Sequence, residues 1–232
     1  MPNKEKLLEY IDGIYESGWL TNNGPLVQQL EKRLEEHLGV KNLLTVSNGT
    51  AGLQLAAMAL QVEGEAITTP FSFVSSTSAL LAERIKPVFA DIDPKTYNID
   101  PSKIEEAITE DTSVIVPVHV FGNPCDMDAI DDIAAKHNLK VMYDASHTFG
   151  GHYDGKSVLG YGDASVISFH ATKLFHTIEG GAIIFKDDET YERAKILRGY
   201  GIDGPDSIAL AGINAKMNEF EAAMGLCNLD EV

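Results

Sequence analysis

From residue 26 to residue 143 the chain alternates short apolar runs with longer amphipathic stretches. The runs Leu43-Leu44-Thr45-Val46, Ala66 to Thr69, Pro87 to Ile92, Ser113 to Val120 and Lys140 to Tyr143 read as strands. Between them, apolar residues recur at helical spacing. Leu26, Leu30, Leu34 and Leu38 form one such stripe, opened by Pro25 and ended by Gly39. Further helices are expected over Thr50 to Gln61, Val74 to Arg84, Asp100 to about Thr109, and Met127 to Asn138. Strands separated by whole helices cannot pair as hairpins. The rhythm therefore predicts an α/β fold, a mainly parallel sheet with helices on both faces.

After Tyr153-Asp154-Gly155, a turn, the rhythm changes. Ser165 to His170 and Ala182 to Lys186 are two strand-like runs with only a short loop between them, which suits an antiparallel pair. That loop carries Lys173 among small and aromatic neighbours, and Gly180-Gly181 follow it. A lysine held in such a setting is a candidate nucleophile. Beyond it, Asp188 to Arg198 reads as a helix, 199–213 as a glycine-rich mobile segment, and Lys216 to Leu229 as a last helix. At the other end, residues 4–17 read as a modest helix. The expected division is an N-terminal segment, 1–25, and one large domain, 26–232.

Composition narrows the partners. A formal charge of −17 makes nucleic acid and anionic membrane poor candidates, since both need basic surface. A small anionic ligand stays possible, because helix ends bind phosphate through backbone amides. Cys125 and Cys227, far apart and outside any CxxC pattern, give no disulfide framework, and no apolar run approaches membrane-spanning length, so a cytoplasmic location is expected.

Four stretches carry chemistry. Ser47-Asn48-Gly49-Thr50-Ala51 joins a strand to a helix, as a phosphate seat or an ordinary capped turn would. Asp144-Ala145-Ser146-His147 puts a carboxylate at the carboxyl end of a strand, where ligands bind in such sheets, although a helix N-cap has the same look. Thr69-Pro70-Phe71-Ser72-Phe73 offers an aromatic to stack on a flat ring or to fill the core. Ser168 and Lys173 offer a hydroxyl and an amine, which a surface loop could also display. Taken together, a phosphate seat, a stacking ring, a carboxylate and an amine meet the four needs of pyridoxal 5'-phosphate (PLP).

With these motifs in order, the sequence resembles the DegT/DnrJ/EryC1/StrS family of sugar aminotransferases. The resemblance extends through Gly18-Trp19-Leu20-Thr21, Pro117-Val118-His119 with Phe121-Gly122-Asn123-Pro124, Glu179-Gly180-Gly181, and Gly212-Ile213-Asn214-Ala215-Lys216-Met217-Asn218-Glu219. It implies the fold-type-I PLP-transferase large domain: a seven-stranded, mainly parallel sheet with one antiparallel strand. It implies Lys173 as the Schiff-base lysine and proton carrier, and Asp144 as partner of the pyridine nitrogen. Phe73 would stack on the ring, and Thr50, the Ala51 N–H and Ser168 would bind phosphate. His147 stands where many members have glutamine. Asn214 matches an asparagine that reaches a neighbouring subunit's phosphate, which implies a homodimer.

The implied reaction moves an amino group from an amino acid, expected to be L-glutamate, to a dTDP- or UDP-linked keto-6-deoxy sugar. The lysine loop SFHATKLFHTIEGGA favours C-4 over C-3. Two departures stand out. Lys216 replaces the arginine of the family's Asn-x-Arg-Met, and the family's small C-terminal domain is expected to be missing from these 232 residues. The rivals are a PLP-fold sugar dehydratase, against which Lys173 speaks, and a non-catalytic or truncated family member. A Rossmann dehydrogenase is disfavoured because no GxGxxG follows the first strand.

Overall fold

The computed structural model describes residues 2–232. Its centre is a seven-stranded sheet of β1 (Leu43–Val46), β2 (Glu65–Thr68), β3 (Lys86–Phe89), β4 (Thr112–Val116), β5 (Lys140–Asp144), β8 (Ala164–Ser168) and β9 (Gly181–Phe185), in the order β1-β9-β8-β5-β4-β2-β3. Two-residue strands β6 (His152–Tyr153) and β7 (Lys156–Ser157) pair as a hairpin across Asp154-Gly155. The five neighbours from β8 to β3 are parallel, whereas β9 runs antiparallel to both β8 and β1. The sheet is thus mainly parallel with one reversed strand, as expected.

The strands alternate between two cores, because successive side chains leave a strand on opposite faces. Val114, Val116, Met142, Val166 and Ile183 face one side, with Leu53, Leu55, Leu80 and Leu197. These leucines come from α3 (Gly49–Ala59), α4 (Val74–Ala82) and α7 (Asp188–Arg198). Ile115, Tyr143, Ile167 and Ile184 face the other side, with Leu30, Leu34, Ile104, Ile130 and Leu226. They pack on α2 (Pro25–Leu38), α5 (Pro101–Ala107), α6 (Met127–His137) and α8 (Glu219–Leu229). Each fully buried leucine contributes about 2 kcal/mol relative to exposure. Helix α1 (Lys4–Ser17) lies on the outside, and its Lys6 pairs with Asp230 just after α8.

Two late elements differ from the sequence reading. The last helix starts at Glu219, not Lys216. Asn218 caps it, accepting from the Glu221 N–H at 3.0 Å while Glu221 accepts from the Asn218 N–H. The residues before it are extended, because Ala215 N–H donates to Arg198 O and its carbonyl accepts from Ser47 N–H. Within 199–213, strands β10 (Ile202–Gly204) and β11 (Ser207–Ile208) form a small hairpin. Among the described residues no helix is long and apolar enough to cross a membrane, and no cluster of three or more His, Cys, Asp or Glu side chains could hold a metal ion.

Candidate active site

Four connections leave the sheet at the carboxyl ends of its parallel strands: β1–α3, β2–α4, the segment after β5, and the β8–β9 loop. That edge is where ligands sit in open α/β sheets. Register brings two of them together, β1–α3 and the β8–β9 loop, since Gly181 pairs with both Val46 and Ser168. A Cβ on Gly181 would sit 3.1 Å from Gly49 N and 2.7 Å from Ile167 O, so only glycine lets β9 pass this close. Gly49 is also tightly placed, with Ser168 Cβ 3.2 Å from where its own Cβ would be. The Ser168 hydroxyl is thereby held against the start of α3.

The result is a cleft of about 420 Å³. Thr50, Phe73, Asp144, His147, Ser168 and Lys173 all line it, so six expected site residues converge. Asn214 does not line it. It lies exposed on the extended segment before α8, and its Oδ1 accepts from Lys216 Nζ at 2.7 Å. The Ala51 N–H, expected to face the ligand, donates to its cap Asn48 Oδ1 at 2.8 Å. The free donors at this helix start are the N–H groups of Gly49 and Thr50, which have no carbonyl one turn behind them, and the Thr50 hydroxyl.

Lys173 is presented by a braced loop. Phe169 N–H donates to Gly180 O at 2.9 Å, Thr177 N–H to Phe169 O at 2.9 Å, and Lys173 N–H to His170 O at 2.9 Å. Buried Phe169 and Phe175 pack edge to face beneath it. The amine is half-buried and has no ion-pair partner among the described residues. Loss of water pushes its pKa below the ordinary lysine value, while the charge on Asp144 pulls the other way. His147, at the rim, is pushed below ordinary histidine by desolvation and then by the Lys173 charge, again opposed by Asp144. A second space of about 260 Å³ opens beside Lys173 and shares Ser146, His147, Ser168 and Thr172 with the first.

Asp144 is only 3% exposed, at the end of β5. Its oxygens are taken by serines: Ser76 Oγ donates to Oδ2 at 2.6 Å, and Ser146 Oγ donates to Oδ1 at 2.6 Å. Ser72 Oγ lies 2.6 Å from Ser76 Oγ. Sequence reading named neither Ser72 nor Ser76 as a site residue. Ser72 lies just before the N-cap Phe73, and Ser76 in the first turn of α4. Their spacing of four is the available signal, and it points to a carboxylate only once β5 lies alongside. Phe73 does not fill the core. It is 77% exposed at the N-cap of α4, with its ring on the cleft wall.

The donor set fits pyridoxal phosphate on the chain's own geometry: unpaired amides at a helix start beside two hydroxyls, an exposed aromatic, a buried carboxylate, and an amine kept partly dry. A larger hollow, about 990 Å³, lies at the opposite end of the sheet around Lys41, Lys156 and Lys186. It gathers no comparable set, and size alone does not make a site.

The whole described chain, residues 2–232, matches the model of the DegT/DnrJ/EryC1/StrS aminotransferase family. The chain is 51% identical over 232 residues to a dTDP-4-amino-4,6-dideoxy-D-glucose transaminase of Shigella dysenteriae, covering 100% of itself and 63% of that relative. Its structure superposes with a TM-score of 0.95 on DesI, solved in the presence of its TDP-sugar product, at 41% identity over 99% of this chain and 59% of that one. It superposes at 0.91 on NtdA of Bacillus subtilis with bound cofactor PMP, at 32% identity over 97% of this chain and 52% of that one. The chain thus spans somewhat under two thirds of the length of the relatives it matches. Motif order, sheet topology, the cleft and these matches agree: the chain belongs to the DegT/DnrJ/EryC1/StrS aminotransferase family.

Proposed function

We propose that this chain forms the cofactor-binding part, residues 26–232 behind an N-terminal arm of 1–25, of a cytoplasmic PLP-dependent aminotransferase. It moves an amino group from L-glutamate to the C-4 keto carbon of a dTDP- or UDP-linked keto-6-deoxy sugar. The observation that carries the reading is the meeting of Lys173 and Asp144, from two separate connections, in one cleft with a helix start. The choice of C-4 and of a dTDP sugar leans on the name of the Shigella dysenteriae relative.

Pyridoxal phosphate, when bound, supplies a ring that takes up the electron pair left at the amino acid's Cα. The chain's residues do the rest. Lys173, with its lowered proton affinity, is the amine that would hold the cofactor through its aldehyde and the base that would hold and move a proton at its Nζ. Asp144 would face the ring nitrogen and favour its protonated form. Thr50, Ser168 and the amides at the start of α3, the Ala51 N–H among them, would hold phosphate. Phe73 offers a ring face, and His147 a polar contact. Asn214, outside its own chain's cleft, is assigned to the phosphate of a neighbouring subunit, which makes the protein a homodimer.

The test uses the intact protein. Reduction with borohydride in the presence of PLP is expected to fix the cofactor on the peptide carrying Lys173. L-glutamate with a dTDP-4-keto-6-deoxyhexose is then expected to give the amino sugar, read by mass spectrometry. Absence of PLP from Lys173 would overturn the cofactor reading, and attachment without amino-sugar formation would overturn the substrate reading.

A further inference from the structure

A buried carboxylate ordinarily needs a cation, and Asp144 has none within ion-pair distance among the described residues. Its charge is held by hydroxyls alone on the side-chain level. Ser146 serves Oδ1 twice, through its hydroxyl at 2.6 Å and its N–H at 3.2 Å. Ser76, 1% exposed on α4, serves Oδ2. The direction of the next link follows. Because the single proton of Ser76 is committed to the carboxylate, Ser76 accepts from Ser72, and Ser72 is the donor. The chain Ser72→Ser76→Asp144 therefore runs from the cleft wall, which Ser72 lines, down to the carboxylate, with every hydroxyl polarised the same way. It crosses between two elements, α4 and β5, that are bonded to each other nowhere else near the site.

We propose that Ser76, backed by Ser72, is a positioning residue that fixes Asp144 as an oriented anion before any ligand arrives, and so selects a flat heterocycle with a protonated ring nitrogen. This rests on the cofactor reading above. An anion held in advance costs no reorganisation when the positive N–H arrives, which is the condition for a strong contact. Ser146 grips one oxygen only and leaves Oδ2 without a donor. Ser76, on a different element, holds that second oxygen, so both ends of the carboxylate are fixed.

The test compares two ligands on the intact protein: pyridoxal phosphate, and its analogue with a ring CH in place of the nitrogen. Wild type is expected to prefer PLP. Ser76→Ala is expected to weaken PLP binding by about tenfold or more, the usual effect of losing a hydrogen bond to a charge, while leaving affinity for the analogue within about twofold. Ser76→Thr restores the preference, and Ser72→Ala, on the wall of the cleft, gives a smaller loss of the same kind. If Ser76→Ala weakens both ligands equally, the serine is merely structural and the proposal falls. It also falls if Ser76→Ala keeps the wild-type preference. Should Ser76→Ala fail to fold, an unchanged preference in Ser72→Ala overturns it. A wild type that binds both ligands alike would instead remove the Asp144 reading on which the proposal stands.

Discussion

Two of the protein's buried charged clusters are built in opposite ways. In the first, Arg198, the last residue of α7, donates to Glu31 of α2 at 2.8 Å and to the Thr45 carbonyl of β1 at 2.8 Å. Glu31 also accepts from the Thr45 N–H at 3.0 Å and hydroxyl at 2.7 Å, and Asn23 takes the second guanidinium nitrogen. Every strong group there has a protein partner. In the second, Lys173 and Asp144 share a cleft without pairing, and the amine, the aromatic and two helix-end amides await something else. A closed cluster ties elements together, whereas an open one is a site.

That contrast can be broken at several points. Lys173→Ala is expected to lower the proposed aminotransferase activity on the order of 10³-fold while thermal unfolding stays close to wild type, because an open site holds little structure together. A matching loss of stability would place Lys173 with the closed cluster. Arg198→Ala is expected to do the reverse, costing about 3–5 kcal/mol in urea unfolding by leaving Glu31 buried and unpaired. Replacing both partners with apolar residues should cost clearly less, and equal losses would count against the pairing. Glu219, 1% exposed, caps α2 by accepting from the Leu26 and Val27 N–H groups at 2.9 and 3.0 Å. Glu219→Ala is expected to destabilise by about 1–3 kcal/mol, and a neutral result would show the cap to be dispensable.

The smallest effect is a shift in pH. Burial disfavours the charged amine of Lys173, so its folded-state pKa lies below the free value. The folded chain therefore binds this proton less readily than the unfolded one. The small penalty is present at neutral pH and fades as pH rises through the folded pKa toward 10.5. Lys173 should half-react with an amine label at lower pH than a lysine in a short peptide. Asp144→Asn should lower that pH further, since Asp144 favours the charged form. An upward shift in that variant would mean that the two groups do not sense each other.

Much of this was readable in the sequence, and the failures have physical causes. Pro25 and Gly39 mark α2 because proline fits the first turn and glycine the left-handed cap, here with φ of 64°. Lys173 and Asp144 stood out because a lysine among apolar runs and an acid at a strand end are each unusual. The start of α8 was misplaced because Lys216 and Met217 suit a helix, and only the backbone bonds of Ala215 to Arg198 and Ser47 hold the segment extended. The serine chain was hidden for a related reason. Ser72 sits between two phenylalanines and Ser76 in a run of small residues, and their meaning depends on Asp144, which arrives on another element 68 positions after Ser76. Local pattern names the groups, and only the sheet pairs them.

The reversed strand has a consequence in time. β1 finds its only strand partner in β9, where Leu43 pairs with Ile184. A ribosome adding roughly 5–20 residues per second needs on the order of ten seconds to make the intervening chain. Through that interval β1, whose four residues are all buried in the finished fold, has no strand to pair with. The event that ends the wait is the arrival of Gly181 to Phe185, and it follows directly on the synthesis of the lysine loop. Chaperone dependence should therefore peak before residue 185 and fall sharply after it.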